Sequence, residues 1–397
     1  MKARRFDIVP LGNLLEVSPQ NGYSPVCPDT PTGKWVLGLA ALNGYGLDLA
    51  GAKPAPVNEP LVDKFMLQPG DFLISRSNTI EKVGRIGVFR GGLDNCSYPD
   101  LMMRFRPDRE KVNPDYLETY LKSDSAVKFI RQHATGSSGS MKKINQHTVE
   151  SIPVLLPQIR EQAWIADFLG VWYQAIEKTE RLIAAKERRY THELSRLISQ
   201  GHHPRNHIGT FAHEVSERNR GGNEARVLSV TNSRGFVLPE DQFERRVASA
   251  DLSNYKIVKR RQYAYNPSRI NVGSIARLDD WGDGVLSPMY AVFGLDETKV
   301  NSDYFLHWLD SHEARGRIKK SAQGSVRETV SFTEFAAITT PLPNIAKQVA
   351  IARYLNVLRE EISILGVYVE KLKEQKRGLM QRLLTGQWRV STLTTKE

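Results

Sequence analysis

Apolar side chains recur in alternating steps of four and three along two long stretches of this chain. The first carries Ile165, Leu169, Trp172, Ile176, Ile183, Tyr190 and Leu197. The second carries Ile351, Leu355, Leu358, Ile362, Leu365, Val369, Leu372, Leu379 and Leu383. A single offset, that from Ile165 to Ile351, superimposes the two. Thr179, Lys186, Glu193 and Lys376 complete the spacing with polar side chains. Alternating four and three is the seam of a coiled coil, so each stretch is predicted to be one long helix. Lys186, Glu193 and Lys376 either fix the register of the seam or mark places where the helices splay.

The stretches before each helix also match. Val112-Asn113-Pro114-Asp115-Tyr116-Leu117 answers Val300-Asn301-Ser302-Asp303-Tyr304-Phe305, and Ala134-Thr135-Gly136-Ser137 answers Ala322-Gln323-Gly324-Ser325. Each block opens with short β-like runs, 35–39 and 227–230, then 70–75 and 262–266. Each closes with a helical stretch, 116–131 and 304–320. Pro153, Pro157, Pro341 and Pro343 mark where the long helices begin, since proline fixes φ and is tolerated at a helix start. Gly201 and Gly386 are expected to stop them near residues 200 and 385.

A block, a helix, then both again describe an internal duplication. The predicted fold class is α+β. Two mixed α/β domains, 1–150 and 201–335, are joined by two long antiparallel coiled-coil helices within 151–200 and 336–390. A short tail, 391–397, follows. The economical arrangement of the repeat is a pseudo-twofold, the one-chain analogue of a symmetric dimer.

Length and composition narrow the classes. At 397 residues the chain suits two or more domains. No apolar run reaches the ~20 residues that cross a bilayer, and Pro10 and Gly12 interrupt the N-terminal apolar stretch too early for a signal sequence. Two distant cysteines, Cys27 and Cys96, suggest neither a disulfide framework nor a zinc site, so a reducing cytoplasm is expected. The net charge of +11 admits an anionic partner. Nearly half of that excess lies in residues 336–397, so any nucleic-acid footprint on the blocks must be local.

Catalytic strings are missing. Asn266-Pro267-Ser268-Arg269 lacks the second proline and the aromatic of an amine methyltransferase loop. Glu297-Thr298-Lys299 has no evident carboxylate partner for nuclease chemistry. His192-Glu193, His213-Glu214 and His312-Glu313 lack the second histidine of a zinc protease helix. There is no Walker loop and no dinucleotide fingerprint. Gly136-Ser137-Ser138-Gly139-Ser140 could cradle a phosphate or be a polar loop. The chain reads as non-catalytic, with no cofactor and no metal of its own.

At the proline–helix junctions the chain resembles the specificity subunits of type I restriction–modification systems. The strings that carry the resemblance are Leu156-Pro157-Gln158-Ile159-Arg160-Glu161-Gln162 and Leu342-Pro343-Asn344-Ile345-Ala346-Lys347-Gln348. The run from Gly378 to Gly386 resembles the family's closing signature. Lys347 where glutamate is usual, and Ser199-Gln200-Gly201 at the first helix end, depart from the pattern. The resemblance implies two target-recognition domains that each read half of a split DNA target, with the helices setting the gap. It implies two methyltransferase subunits that bring S-adenosylmethionine, and restriction subunits that use ATP and magnesium. This chain would be the non-catalytic subunit that binds double-stranded DNA and scaffolds the others.

Two loops per block are the expected DNA contacts. After the 70–75 strand come Arg76, Ser77, Asn78, Lys82 and Arg85, and their counterparts are Asn266, Ser268, Arg269, Asn271 and Ser274. After the block's helix come Ser138, Lys142, Lys143 and Asn145, with Ser325, Arg327 and Thr329 in the second copy. Arginine suits guanine and asparagine suits adenine, whereas lysine and serine more often hold phosphates. Two other classes remain: a coiled-coil adaptor that recruits proteins without DNA, and a two-domain enzyme with an unfamiliar site.

Overall fold

The computed structural model describes residues 6–136, 141–222, 224, 226–241, 251–323 and 329–388. The chain divides into two compact units, Met1–Arg181 with Val367–Glu397, and Leu182–Gly366.

In the first unit, β1 (Asp7–Pro10) and β2 (Leu15–Asn21) lead to β3 (Phe72–Ser75), β4 (Ser77–Asn78), β5 (Ile86–Val88) and β6 (Met102–Pro107). Helices α1 (Pro114–Leu121) and α2 (Asp124–His133) follow, then β7 (Lys142–Lys143), β8 (Pro153–Leu156) and the long α3 (Ile159–Leu194). The main sheet is antiparallel in the order β2-β6-β3-β5, and β1 pairs antiparallel with β8. All four β3 residues are buried. Side chains alternate across a strand, so Phe72 and Ile74 enter the core beneath the helices while Leu73 enters a second core with Leu37, Leu42, Tyr98 and Met102. A sheet covered on both faces explains why this strand lacks a polar alternation.

The second unit repeats that order. It contains β9 (Arg205–His207), β10 (Ala212–Glu214), β11 (Tyr263–Tyr265), β12 (Ile275–Arg277) and β13 (Ala291–Leu295). Then come α4 (Ser302–Asp310), α5 (His312–Gln323), β14 (Thr339–Pro341) and the long α6 (Ile345–Leu384). The sheet order is β10-β13-β11-β12, and β9 pairs with β14. Each strand stands where its counterpart stands in the first unit. Tyr263 and Tyr265 face the helical core and Ala264 the other.

Two sequence expectations need correction. The stretches 116–131 and 304–320 are each two helices, not one. Ser123 and Ser311 interrupt them, because each hydroxyl accepts the N–H three residues on, from Ala126 and Ala314, and so starts a new helix. At the end of α3 the left-handed residue is His202 (φ 48°), not Gly201, after one π-helical turn at Ser195–Ser199. Gly386 does take the left-handed conformation, at φ 72°.

Every seam position in α3 and α6 is buried or half-buried, which the spacing predicts. The ends of the seams also serve the block cores. Ile165, Leu169, Met380 and Leu383 pack beneath the first sheet, and Ile351, Leu355, Leu358 and Ile198 beneath the second. Within each unit the two helix segments run antiparallel. In the first, Glu180 pairs with Lys373 (3.0 Å) and Tyr173 reaches Met380 (3.7 Å). In the second, Lys186 pairs with Glu361 (2.7 Å) and Arg189 donates to Tyr354 (3.2 Å). Lys186 and Lys376 therefore make contacts across the seam, whereas Glu193 pairs along its own helix with Arg196.

The junction motif has a physical basis. Gln162, buried at the start of α3, accepts the Asn113 N–H (2.8 Å) and donates to the Pro157 carbonyl (2.8 Å). Gln348 does the same for Asn301 (2.8 Å) and Pro343 (2.7 Å). Asn113 and Asn301 cap α1 and α4 through their side chains. One glutamine thus ties the first turn of each long helix to the residue that starts the block helix.

In the second unit a partly buried polar chain, centred on buried His307, joins α3, α4 and α6. Arg359 donates to the Tyr190 hydroxyl (3.0 Å), Tyr190 to His307 Nδ1 (2.8 Å), and His307 Nε2 to Asn356 (2.7 Å). Burial, and then the Arg359 charge, lower His307 to about 4. The unfolded chain takes up that proton near pH 6.5 and the folded chain resists it. Stability from this residue is therefore complete above pH ~6.5 and lost as pH falls towards ~4, by about 3 kcal/mol. Urea unfolding of the protein and of His307→Gln at pH 7 and 4.5 checks this. The variant is expected to lose less stability over that interval.

Candidate nucleic-acid interface

The first unit brings both expected loops together. After β3 the chain turns into β4, which pairs antiparallel with β7 so that Ser77 faces Lys143 and Asn78 faces Lys142. The Ile144 N–H donates to the Arg76 carbonyl (3.0 Å), and Lys143 exchanges both backbone hydrogen bonds with Thr135 (2.8 and 2.9 Å). The far side of the loop closes through Gly84, whose N–H donates to Ser75 (2.9 Å) at φ 77°. An added Cβ there would lie 2.4 Å from Ile130, so glycine is needed both for conformation and for space.

Side-chain placement divides the candidates. Lys82 and Lys143 are exposed and make no ion pair with any described residue. Arg76, Asn78, Arg85 and Lys142 are half-buried. Arg76 donates to the Asp100 carbonyl (3.3 Å), Arg85 to Leu42 (3.4 Å) and Lys142 to Gly136 (2.5 Å). Asn145 is exposed, but its carbonyl caps the short helix Gln146–Glu150 by accepting from Thr148 (2.7 Å). Ser77 is fully buried against Met141, so it supports the loop and presents no free group. Ser138 lies outside the described residues.

The second unit makes the same juxtaposition with different chemistry. The Val330 N–H donates to the Pro267 carbonyl (3.1 Å), joining the post-strand loop to the segment after α5. Asn266 is buried and accepts the Ser268 N–H (3.0 Å), and buried Ser274 donates to the Val230 carbonyl (2.9 Å). Both hold the turn. Ser268 and Arg269 are exposed at its tip, while Asn271 and Thr329 are half-buried. Ser325 and Arg327 lie outside the described residues. No group of histidine, cysteine, aspartate or glutamate among the described residues is arranged to hold a metal ion. No described helix is long and apolar enough to cross a membrane.

Sequence reasoning missed a set of cations around the end of α6. Lys122, Lys373, Lys376 and Arg377 line one cleft of the first unit. Their separation along the chain hides the cluster, and only Lys376 was visible, as a polar intrusion in the seam.

Comparison with known proteins bears on the whole chain. Residues 46–187 match the family model of the type I restriction modification DNA specificity domain. Over 358 residues the chain is 22% identical to the MjaX type I restriction-enzyme specificity subunit proposed for Methanocaldococcus jannaschii, covering 83% of this chain and 81% of that protein. It is 29% identical over 164 residues to the EcoKI specificity subunit of Escherichia coli, covering 40% of this chain and 35% of that protein. Among solved structures, the S subunit of a type I restriction–modification system from M. genitalium superimposes with a TM-score of 0.60. The identity is 13%, with 96% of this chain and 97% of that one covered. A chain from a study of type I assembly and conformational transition gives a TM-score of 0.53 at 12% identity, covering 97% of this chain and 99% of that one. At these identities the structural likeness is one of fold.

Proposed function

We propose that this chain, which belongs to the specificity subunits of type I restriction–modification systems, reads a bipartite duplex DNA target with one loop pair in each unit. Subunits of this family are not themselves catalytic. The observation that carries the proposal is the repeated pairing of the post-strand loop with the segment after the block's second helix. Each pairing presents exposed cationic or hydroxyl side chains, Lys82 and Lys143 in one unit, Ser268 and Arg269 in the other. The two tips differ in chemistry while the scaffolds match, as readers of two different half-sites should. Joining two weak readers in one chain raises the effective concentration of the second once the first has bound.

Scaffolding of two methyltransferase subunits belongs to the same proposal. Trp164 and Phe168 stack outward on α3 at 5.0 Å, with Val171 one turn on. Tyr354 and Val357 are exposed on α6 at the positions that answer Phe168 and Val171, while Ala350 answers Trp164. Exposed apolar side chains repeated at the offset of the duplication favour two equivalent protein partners. S-adenosylmethionine would enter with those subunits, and ATP and magnesium with restriction subunits. The assembly would act in the cytoplasm, with the two blocks related by a pseudo-twofold and the helices setting the gap. The adaptor reading shares the apolar faces but gives no role to the loop tips.

Salt dependence separates these readings. Lys143→Ala and Arg269→Ala are each expected to weaken duplex binding by the reconstituted methyltransferase and to lower its salt slope by about 1. Fluorescence anisotropy over a range of potassium chloride concentrations measures this. Slopes unchanged in both variants would remove the loop tips from the interface.

A further inference from the structure

Between α1, α2 and the last turns of α6 the first unit opens a cleft of about 480 Å3. Tyr45, Met380 and Leu384 form part of its wall, and Lys122, Lys373, Lys376 and Arg377 line it. Lys373 is neutralised by Glu180 (3.0 Å) and Glu370 (2.8 Å), and Lys122 by Glu118 (2.7 Å). Lys376 has no carboxylate within ion-pair distance among the described residues. Its Nζ lies 3.9 Å from the centre of the Tyr173 ring, and Lys122 lies 5.3 Å from the same ring. Burial, and then the Lys122 charge, lower Lys376 to about 8, against a smaller opposing effect of Asp124. Arg377 is exposed and makes no ion pair with a described residue. The hydroxyls of Ser123 and Ser125 meet at 2.9 Å on the rim.

The second unit has the corresponding cleft, lined by Tyr190, Leu194, Ser195, Asp310 and Ser311 among others. The register of the repeat places Tyr190 where Lys376 stands and Arg359 where Tyr173 stands. The cation over an aromatic ring therefore persists, at 5.4 Å, with α6 supplying the cation and α3 the ring in both units. Asp310 occupies the position of Lys122 and forms an ion pair with Arg359. Arg188 and Arg315 also line the second cleft, so both clefts are cationic, but the cation over the ring has a carboxylate partner in the second unit and none among the described residues in the first. A partly buried ammonium without a carboxylate partner is costly. Joining helix to block does not require this, since the second unit manages with an ion pair.

We propose that the first cleft binds a phosphate-bearing small molecule of nucleotide size, its phosphate held by Lys376 and Arg377 with the Ser125 hydroxyl donating, while Lys122 stays engaged with Glu118 and the Tyr45 carbonyl. Two cationic donors beside a hydroxyl suit the many oxygens and multiple charge of a phosphate better than a carboxylate. The Tyr45, Met380 and Leu384 wall offers apolar surface to the rest of the molecule, and the volume falls in the range of small-molecule sites. Asp124, on the rim, limits the site to ligands whose charge outweighs its own. This inference does not depend on how the loops read DNA.

Isothermal titration of the full chain with pyrophosphate and with ADP, at constant ionic strength, tests it. Both are expected to bind saturably. Lys376→Met should weaken binding about tenfold or more, Arg377→Gln about threefold, and Lys319→Gln in the other unit not at all. Lys376→Met keeps the apolar stem and removes a desolvated charge, so its melting temperature should not fall. If that variant fails to fold, exposed Arg377→Gln decides. Absence of saturable binding, or undiminished affinity in the folded variants, overturns the proposal. So does displacement of bound ADP by random-sequence duplex at equal phosphate concentration, which would make the cleft a DNA-backbone contact.

Discussion

Deleting one heptad from each long helix, residues 179–185 with 365–371, is expected to weaken specific DNA binding and shift the preferred gap, or to abolish specific binding. The seam survives the deletion, because Lys186 then follows Ile176 by three residues and Leu372 follows Ile362 by three. The removed stretches lie between two cross-helix contacts that remain, Tyr173 with Met380 and Lys186 with Glu361. Glu180 is lost, and with it the contacts to Tyr45 and Lys373. These involve exposed or half-exposed groups and contribute little. Each helix shortens by ~10 Å and its end turns by only ~20°. On the reading that the helices set the gap, 10 Å corresponds to about three base pairs. Three base pairs also rotate a half-site by roughly 100°, which the shortened helices do not supply. The DNA must twist or bend to compensate, at a cost of a few kcal/mol. Affinity of the reconstituted methyltransferase for duplexes differing only in gap length measures the effect. Full affinity for the original gap would remove the helices as its determinant.

Gln162→Ala is expected to destabilise the chain by about 3 kcal/mol, and Gln348→Ala by a similar amount. Each glutamine is about 1% exposed, accepts a partly buried N–H and donates to a buried carbonyl, and Gln348 donates to the Lys299 carbonyl as well (3.2 Å). Alanine leaves these groups without the amide that pairs them. The effects should differ in kind from a surface change on the same helix. Arg160→Ala, two residues away and exposed, is expected to shift stability by less than ~0.5 kcal/mol. Denaturant midpoints for the three variants provide the test. A glutamine variant as stable as Arg160→Ala would mean that the junction motif does not tie helix to block.

The seams were legible because a helix repeats its environment every few residues, so local spacing reports burial directly. The sheet order was not legible. Strands β2 and β10 pair with β6 and β13, far along the chain, and short apolar runs do not say which neighbour they join. The glutamine of the junction motif was noticed only through family resemblance. Its partners, Asn113 and Asn301, sit 49 and 47 residues earlier. The strands that precede the two candidate loops were legible, but the loop members could not be sorted. Ser77 and Ser274 look like surface serines in sequence, and only the fold shows that they are buried. The breaks at Ser123 and Ser311 could have been read, since serine before a helix-forming run is a common cap. The apolar continuity on either side outweighed that signal.

Exchange of residues 1–150 for the equivalent segment of a relative with a different target tests the central claim most directly. The readout is methylome sequencing after co-expression with the cognate methyltransferase subunits. Independent reading by the two blocks predicts that one half of the methylated target changes, while the other half and the gap are retained. A target in which both halves change together would contradict it.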